Sequence, residues 1–355
     1  MLMAISRTPY RVSFFGGGTD YPAWYRRHGG AVLSMAINKY CYIGTGLLPP
    51  FFGIRHRIIW SHIEAVGAIS EILHPAVRAG LQMLGFDDAQ GIELFHQGDL
   101  PARSGIGSSS AFAVGLMNVL NAMRGENLDA LALAKSAMDL EQNKLKESVG
   151  CQDQIASAYG GMNVIKFEPD DSFSVTPLGL GDTQRGDFEQ WLMLFYTGSS
   201  RISSEFAKKL ISNLEANAAH MRRMREMVEV AVEMLHAGQL ADFGQLLHES
   251  WKLKRGLADG TSTTTIDRIY DDARRAGALG GKLLGAGGTG FMVFVVPPDR
   301  QPAVREALSH LITVPVSVDF TGSTIVYRKE ELLGMGEAAE RSDIFGAARK
   351  RAAKE

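Results

Sequence analysis

The stretch that most constrains the fold is a loop rich in glycine and serine, Asp99–Ser110, which leads directly into a long apolar run. The alternating residues Ile92–Phe95 before the loop predict a strand, and the apolar run predicts a buried helix that begins near Ser108. Gly105 and Gly107 allow a turn tight enough for main-chain N–H groups to converge on one point. The first turn of the helix adds unpaired N–H groups and the positive end of its dipole. This stretch therefore predicts a site for an anion, and a phosphate fits best.

Neither of the two commoner phosphate-binding loops matches this stretch. The Walker loop ends in Gly-Lys-Ser or Gly-Lys-Thr, and no lysine lies between Asp99 and Ser110. The dinucleotide-binding fingerprint needs a third glycine where Ser110 stands, which argues against a dinucleotide-dependent oxidoreductase. Taken alone, the loop is equally compatible with an ordinary glycine-rich turn capped by serine, so other stretches have to decide.

The composition narrows the classes of protein that remain. A chain of 355 residues with 45% hydrophobic residues can bury the cores of two domains. A net charge of −2 gives no basic excess for tracking nucleic acid. Cys41 and Cys151 are too few for a disulfide framework or a thiolate metal site, which favours a reducing, cytoplasmic location. The sequence shows neither a signal-peptide pattern nor about 18 consecutive apolar residues, so we expect no secretion and no membrane span.

Local patterns predict a strand-rich first half with helices on either side of the glycine loop. The elements predicted before the loop are the strands Thr8–Phe15, Ala31–Ile37, Tyr40–Thr45 and Ile54–Trp60 and the helix His74–Leu84. After the loop, Leu128–Lys146 is rich in good helix formers and predicts a second long helix. A short helix after Gly150 and the strand Met162–Phe167 follow.

The polar stretch Glu168–Asp187, which contains proline and glycine, is predicted to link two domains. We place the first domain at residues 1–187, the second at 188–335 and a polar tail at 336–355. The elements predicted for the second domain are the strands Trp191–Tyr196, Phe291–Val296, Val314–Phe320 and Ser323–Tyr327, and helices at 203–257 with a break, at Thr264–Ala276 and near Pro302–Leu311. The predicted fold class is α+β.

Three stretches, taken in order, resemble the motifs of the GHMP kinase superfamily, which includes galactokinase and the homoserine, mevalonate and phosphomevalonate kinases. They are Pro9–Tyr21, Pro101–Ser110 and Leu284–Gly290. The second stretch matches the superfamily's Pro-x-x-x-Gly-Leu-Gly-Ser-Ser loop, and the resemblance spans nearly the whole chain. It implies an N-terminal domain like ribosomal protein S5 domain 2 and a ferredoxin-like C-terminal domain, with ATP and a sugar meeting between them.

Within the superfamily, Gly16–Pro22, Gly150–Gln154 and Tyr196–Arg201 look most like the D-glycero-D-manno-heptose 7-phosphate kinase group of sugar-1-kinases. This resemblance implies that ATP phosphorylates the anomeric hydroxyl of that heptose phosphate. The product would be the 1,7-bisphosphate, which serves nucleotide-activated heptose synthesis. Galactokinases carry Glu-His where this chain has Gly17-Gly18, a difference that enlarges the pocket and puts galactose in doubt.

The resemblance also implies a role for each matched position. Asp153 would accept the proton of the attacking hydroxyl, and Arg11 would stabilise the ionised aspartate and the developing negative charge. Ser109 and Glu141 would hold Mg²⁺, since hydroxyl and carboxylate oxygens suit a hard cation. The residues that would bind the ATP phosphates are Arg103, Ser104, Gly105, Ile106, Gly107, Ser108, Ser109 and Ser110. Taken singly, these residue types fit a helix cap or a solvated helix face equally well.

The acceptor sugar would lie against Asp20 and its neighbours. The residues assigned to the acceptor are Gly17, Gly18, Thr19, Asp20, Gln152 and Arg201. Arg201 is preferred for a phosphate at the far end of the sugar because hydroxyl and N–H donors precede it. The other basic candidates are Lys166, Arg103, Arg26 and Lys39. A second glycine loop with Gly285, Gly287 and Gly288 is predicted to pack beside the phosphate loop, with a plain helix-to-strand turn as the alternative.

Two alternative functions stay open at the level of sequence. One is a kinase for another sugar at C1, namely L-fucose, galactose, a uronic acid or an N-acetylhexosamine, which would leave the basic candidates without a task. The other is a non-catalytic regulator that binds sugar and ATP, although the joint presence of Arg11, Glu141 and Asp153 argues against it. The expected partners are ATP and a sugar phosphate, and the oligomeric state, including a homodimer, is left open.

Overall fold

The computed structural model describes residues 2–198, 211–258 and 260–330, which form two β-sheets with helices packed on them. The strands are β1 Leu2–Phe15, β2 Gly30–Leu47, β3 His56–Ile59, β4 Ile63–Val66, β5 Ile92–Gly98, β6 Met162–Phe167, β7 Phe173–Pro177, β8 Leu192–Tyr196, β9 Gly280–Leu283, β10 Phe291–Val295, β11 Ile312–Val314 and β12 Thr324–Glu330. The α-helices are α1 Pro22–His28, α2 Pro75–Met83, α3 Ser108–Met123, α4 Ala130–Met138, α5 Gln152–Tyr159, α6 Asp182–Gln190, α7 Ala218–His236, α8 Leu240–Arg255, α9 Thr264–Ala276 and α10 Gln301–Ala307. The predicted α+β class is confirmed.

The larger sheet has eight strands in the order β12-β1-β2-β5-β3-β4, and β6 also pairs with β2 and with β7. All of its pairs are antiparallel except β3 with β5. The smaller sheet has the order β11-β8-β10-β9 and is antiparallel throughout. The strand that closes one edge of the larger sheet, β12, therefore comes after the whole smaller sheet along the chain.

Helix α3 is the central helix of the first half. Every residue from Ser110 to Met123 is buried, because the helix packs on β1 and β2 on one side and against α4 and α5 on the other. A helix enclosed in this way has to be apolar all round rather than along one stripe, which is what its sequence shows. Its N-terminus is thereby fixed rigidly at one end of the sheet.

The predicted linker Glu168–Asp187 is largely structured. Strand β7 occupies its middle and pairs with β6, and α6 begins at Asp182. A tight turn around Asp171, whose φ is 67°, joins the two strands into a hairpin. The prediction missed β7 because this strand has only five residues, all half-buried or exposed, and lies within a polar stretch. The domain boundary at residues 187/188 stays a prediction.

Other predicted elements differ in extent. The strands Ala31–Ile37 and Tyr40–Thr45 form the single strand β2, because a bulge opposite Pro9 and Tyr10 absorbs the residues between them. The predicted helix Leu128–Lys146 is α4 followed by a π-helical segment, which has the wider spacing of i to i+5 hydrogen bonds.

The end of the described chain also departs from the prediction. Of the strand predicted at Val314–Phe320, only Val314 belongs to β11. The last predicted strand, Ser323–Tyr327, corresponds to β12. Strand β12 pairs with β1 in the larger sheet, so it does not belong to the smaller one. Hydrophobic patterns indicate that a segment is a strand, but they do not specify its partner.

A buried aromatic cluster joins the larger sheet to helices α6 and α8. Phe14 and Phe15 at the end of β1 contact Phe188 of α6 and Phe243 of α8 edge to face, with ring centroids 5.2–5.7 Å apart. Such rings bury large areas in a specific geometry. The cluster fixes the end of β1 against the second half of the chain. Within the described ranges, no helix combines the length and the apolar character needed to cross a membrane.

Candidate active site

The phosphate loop lies between the end of β5 and the start of α3. Gly105 (φ 84°) and Gly107 (φ 72°) have left-handed backbone conformations, which glycine adopts without strain. Gly107 is the N-cap of α3 and offers no side chain to the first helical N–H groups, so these donors stay free for a ligand. The N–H of Arg103 donates to Ser108 Oγ (2.9 Å), which closes the loop on itself.

A second glycine loop, between β9 and β10, packs directly on the phosphate loop. A Cβ added to Gly105 would lie 2.4 Å from the carbonyl oxygen of Leu284, and one added to Gly285 would lie 2.6 Å from the Cα of Gly105. The N–H of Phe291 donates to the carbonyl oxygen of Ser104 (2.9 Å). The two loops touch through main chain, an approach that side chains would prevent.

Arg11 of β1 and Asp153 of α5 form a two-pronged ion pair below the phosphate loop. The guanidinium Nε donates to Oδ1 of the aspartate (2.7 Å) and Nη2 donates to Oδ2 (2.6 Å). Nη1 donates to the carbonyl oxygen of Gly105 (2.6 Å), so the same cation also fixes the loop. A Cβ added to Gly107 would come within 3.2 Å of Asp153 Oδ2. The two residues, 142 positions apart, therefore meet at the helix N-terminus.

Asp20 is held at the same site by main-chain donors. The N–H of Gly18 donates to Oδ1 (2.9 Å), and the N–H of Gln152 donates to Oδ2 (3.3 Å). Burial raises the pKa of the Asp20 carboxyl, and the nearby charge of Asp153 raises it further. The carboxyl of Asp20 is thus fixed in position by donors that belong to the loops around it.

Glu141 lies in the π-helical segment after α4. Gln154 Nε2 donates to its Oε2 (2.5 Å), while Oε1 is buried without a partner among the described residues. Burial raises the pKa of this carboxyl to about 8, against the opposing effect of the nearby polar side chains of Ser110 and Gln154. A buried carboxylate oxygen without a donor calls for a proton or a cation. The residues present therefore fit Mg²⁺.

The described residues contain no cluster of three or more His, Cys, Asp or Glu side chains that could hold a metal ion. Magnesium commonly takes one or two protein ligands and keeps waters and substrate phosphates as the others. The prediction named Ser109 as the partner of Glu141, and its side chain is exposed toward the cavity. The hydroxyl that lies beside the Glu141 carboxylate is instead that of Ser110, the residue after Ser109.

These elements surround one cavity of about 490 Å³. This is the size of a small-molecule site. The predicted site residues that line it are Arg11, Gly17, Gly18, Asp20, Arg103, Gly105, Gly107, Ser108, Ser109, Ser110, Gln152, Asp153 and Gly285.

Six predicted residues are not in the lining. Thr19 is buried, and its hydroxyl donates to the carbonyl oxygens of Gly16 (2.7 Å) and Ala31 (2.9 Å), so it shapes its loop instead of facing the cavity. The other five residues outside the lining are Ser104, Ile106, Glu141, Gly287 and Gly288. Arg201 lies outside the described residues.

The remaining basic candidates are mostly away from the cavity. Arg26 forms an exposed ion pair with Asp171 (2.7 Å). Lys166 and Lys39 do not line the cavity, whereas Arg103 does. Arg26, Lys39 and Lys166 were candidate phosphate ligands on charge alone. Charge is a weak guide, because most long basic side chains lie at the protein surface.

Three cavity-lining lysines were missed by sequence reasoning: Lys146, which is exposed, and the less exposed Lys254 and Lys282. Lys254, near the end of α8, donates to the carbonyl oxygens of Leu283 (2.8 Å) and Gly285 (2.5 Å). Lys282, in β9, donates to the carbonyl oxygen of Phe14 (2.9 Å). Burial lowers the pKa of both ammonium groups, that of Lys282 to about 7. A lysine in a short strand of glycine and leucine is a signal that could have identified Lys282.

The chain belongs to the GHMP kinases, the family of ATP-dependent phosphotransferases that this fold and phosphate loop define. The family description "GHMP kinases N terminal domain" matches residues 69–161, and "GHMP kinases C terminal" matches residues 227–312. The predicted superfamily and its two-domain fold are confirmed.

Known relatives cover nearly the whole chain. D-glycero-alpha-D-manno-heptose 7-phosphate kinase of Campylobacter jejuni is 27% identical over 336 residues, which cover 85% of this chain and 92% of the relative. L-fucokinase/L-fucose-1-P guanylyltransferase of Bacteroides fragilis is also 27% identical, over 84% of this chain but 35% of that longer protein. The crystal structure of a D-glycero-D-manno-heptose 1-phosphate kinase from Bacteroides thetaiotaomicron has a TM-score of 0.75 at 22% identity, covering 91% of this chain and 98% of its own, and shows the same fold.

Proposed function

We propose that this kinase transfers the γ-phosphoryl group of ATP to the anomeric hydroxyl of D-glycero-D-manno-heptose 7-phosphate. The product is the 1,7-bisphosphate, a precursor for nucleotide-activated heptose. The observation that carries the proposal is the ion pair of Arg11 and Asp153 directly beneath the free N-terminus of α3. The match to the Campylobacter jejuni relative supports the choice of acceptor.

Asp153 is the general base of the proposed reaction. It takes the proton of the anomeric hydroxyl as that oxygen bonds to the γ-phosphorus of ATP, while the bond from this phosphorus to the bridging oxygen breaks and ADP leaves. Arg11 holds both carboxylate oxygens in a fixed orientation and balances their charge. Because Arg11 also bonds to the carbonyl oxygen of Gly105, it links the base to the phosphate loop.

The main chain of the phosphate loop provides the ATP site. The free N–H groups at the start of α3 and the two glycines before it can donate to phosphate oxygens without a side chain in the way. Glu141, with Ser109 or Ser110, would hold Mg²⁺, which when bound neutralises charge on the phosphate oxygens.

The acceptor lies against Asp20 in this proposal. Its carboxylate accepts hydrogen bonds from sugar hydroxyls, and Gly17 and Gly18 leave the room that a seven-carbon sugar requires. The buried Oε1 of Gln152 has no partner among the described residues and is a further acceptor for a hydroxyl. Arg201 stays a sequence-based candidate for the phosphate at the far end.

The proposal is tested by assaying ATP-dependent phosphorylation of a panel of sugars by the full chain. The panel contains the heptose 7-phosphate, the unphosphorylated heptose, L-fucose, galactose, a uronic acid and an N-acetylhexosamine. We expect the highest kcat/KM with the heptose 7-phosphate and a product phosphorylated at C1, with Asp153→Asn as the inactive control. Preference for fucose or galactose would assign the protein to other sugar-1-kinases, and ATP binding without turnover of any sugar would favour the regulator.

A further inference from the structure

The cavity wall formed by β1, β9 and the end of α8 carries two ammonium groups that the proposed chemistry does not use. Lys282 is 3% exposed and Lys254 is partly buried, and both line the cavity. Their recorded hydrogen bonds go to main-chain carbonyl oxygens alone: one bond for Lys282 and two for Lys254. Within the described ranges, neither lysine forms an ion pair with a carboxylate.

An ammonium group has three N–H donors. Two donors of Lys282 and one of Lys254 therefore have no protein acceptor recorded in the described part of the chain. A buried ammonium group without a carboxylate partner, such as that of Lys282, is costly to a fold, and proteins rarely keep one unless it meets an anion. The charged groups that act on Lys282 are Arg11, Lys254 and Asp20, and the charge of Arg11 is already matched by Asp153.

A second observation points to a ligand at the same wall. Ser13 is 6% exposed, lines the cavity, and its hydroxyl has no hydrogen-bond partner among the described residues. It lies two residues after Arg11 on β1, and next to Phe14, whose carbonyl oxygen receives the bond from Lys282. A Cβ added to Gly17, in the acceptor loop, would lie 3.6 Å from Ser13 Oγ. The unused hydroxyl and the unused ammonium donors therefore adjoin the place where the acceptor would lie.

We infer that Lys282 and Lys254, with the hydroxyl of Ser13, bind the phosphate group that the acceptor already carries. This inference rests on the proposed function and names the residues that would make a sugar phosphate preferable to a neutral sugar. The N–H and O–H donors fit the oxygens of a phosphate, and buried charge-assisted hydrogen bonds are the strong ones. The sequence-based candidate for this phosphate was Arg201, so variants of Lys282 and of Arg201 can be compared directly.

The test is the Lys282→Met variant of the full chain, which keeps the length of the side chain and removes its charge. The quantity measured is the ratio of kcat/KM for the heptose 7-phosphate to kcat/KM for the unphosphorylated heptose. We expect this ratio to fall about 10- to 150-fold, since charge-assisted hydrogen bonds contribute about 1.5–3 kcal/mol. Lys252→Met, an exposed lysine on the same helix as Lys254, is the matched control and should leave the ratio as in the wild type.

A binding measurement separates loss of the site from loss of the fold. Without nucleotide, the heptose 7-phosphate should raise the Tm of the wild type and of Lys252→Met, and fail to raise that of Lys282→Met. Lys282→Arg should restore part of the effect, because it returns the charge. A Lys282→Met protein whose Tm still rises with the sugar phosphate would overturn the inference.

The outcomes also separate this inference from the proposed function. If the wild type prefers the phosphorylated acceptor and Lys282→Met keeps that preference while Arg201→Ala loses it, the inference fails and the proposed function stands. If Lys282→Met loses activity equally with both acceptors, the lysine serves the transferred phosphoryl group and the inference fails. If the wild type shows no preference for the phosphorylated acceptor, both fail.

Discussion

The two sides of the cavity are built from different parts of the polypeptide. The phosphate-loop side is main chain, supplied by Gly105, Gly107 and the free N–H groups of α3. The acceptor side is a set of charged side chains. Arg11, Asp20 and Lys282 are buried, and Asp153 and Lys254 are partly buried. Main-chain donors bind a phosphate whatever the rest of the substrate is, so they can serve any acceptor. Charged side chains held in fixed positions can discriminate between acceptors, because an acceptor that leaves one of them unpaired loses affinity.

The largest effect should come from the base on the acceptor side. Asp153→Asn keeps the shape of the side chain and removes its ability to take a proton, so kcat should fall about 10²- to 10⁴-fold. ATP affinity, measured directly by calorimetry, should stay close to that of the wild type because the phosphate loop does not depend on this carboxylate for its donors. A variant that turns over at the wild-type rate would show that Asp153 is not the base.

The next effect concerns the carboxylate that lies behind the phosphate loop. Glu141→Gln removes the anionic oxygen that fits Mg²⁺, so the Mg²⁺ concentration for half-maximal activity should rise by at least about tenfold. The measurement is a Mg²⁺ titration at saturating ATP and acceptor. Glu147 follows the π-helical segment that contains Glu141, lines the cavity, and supplies the comparison variant. If Glu147→Gln gives the larger shift and Glu141→Gln none, the ligand assignment is wrong.

The main-chain side of the comparison is tested at Gly105. Gly105→Ala would force a side chain into a left-handed conformation and toward the carbonyl oxygen of Leu284. We expect the free energy of unfolding to fall by more than the roughly 1–2 kcal/mol that this conformation alone costs, and ATP binding to weaken. Gly125→Ala is the matched control, because Gly125 has the same φ of 84° and no atom within 4 Å of an added Cβ. Equal losses for the two variants would mean that the contact between the glycine loops is unimportant.

The last test concerns the dependence of stability on pH. The pKa of Lys282 is lowered from 10.5 to about 7, so between these pH values the unfolded chain holds a proton that the folded protein lacks. The free energy of unfolding should therefore rise with pH in this window, by up to about 1.4 kcal/mol per pH unit from this group. The pKa of Lys254 is lowered as well, so this group adds to the rise of stability with pH. The charges that act on Lys282 are those of Arg11 and Asp20.

Urea denaturation of wild type and Lys282→Met between pH 7 and 9 measures this slope. The variant should show a flatter slope and, near pH 7, a stability at or above that of the wild type, since it no longer buries a cation. If the free energy of unfolding depends on pH equally in Lys282→Met and in the wild type, Lys282 is not the titrating group.

The difference between the main-chain side and the side-chain side of the cavity also explains what the sequence could and could not predict. The strand, loop and helix around Gly105 are encoded within a short stretch, so local patterns were enough. The pair of Arg11 and Asp153 was proposed through motif resemblance, because no local rule brings together residues 142 positions apart. Lys282 was missed because its position depends on how β9 packs against the end of β1. The partner of β12 was missed for a related reason, since strand composition does not specify which strand lies next to it.

The return of β12 to the edge of β1 has a consequence for synthesis of the protein. Strand β1 is the first described strand to leave the ribosome and β12 the last, so the edge of β1 between Leu2 and Arg7 stays open until almost the whole chain has been made. An open strand edge is a template for pairing with other chains. A ribosome that stalls before residue 324 would release a product with this edge unprotected. Protection of the nascent chain by chaperones should therefore matter most while the smaller sheet is being translated.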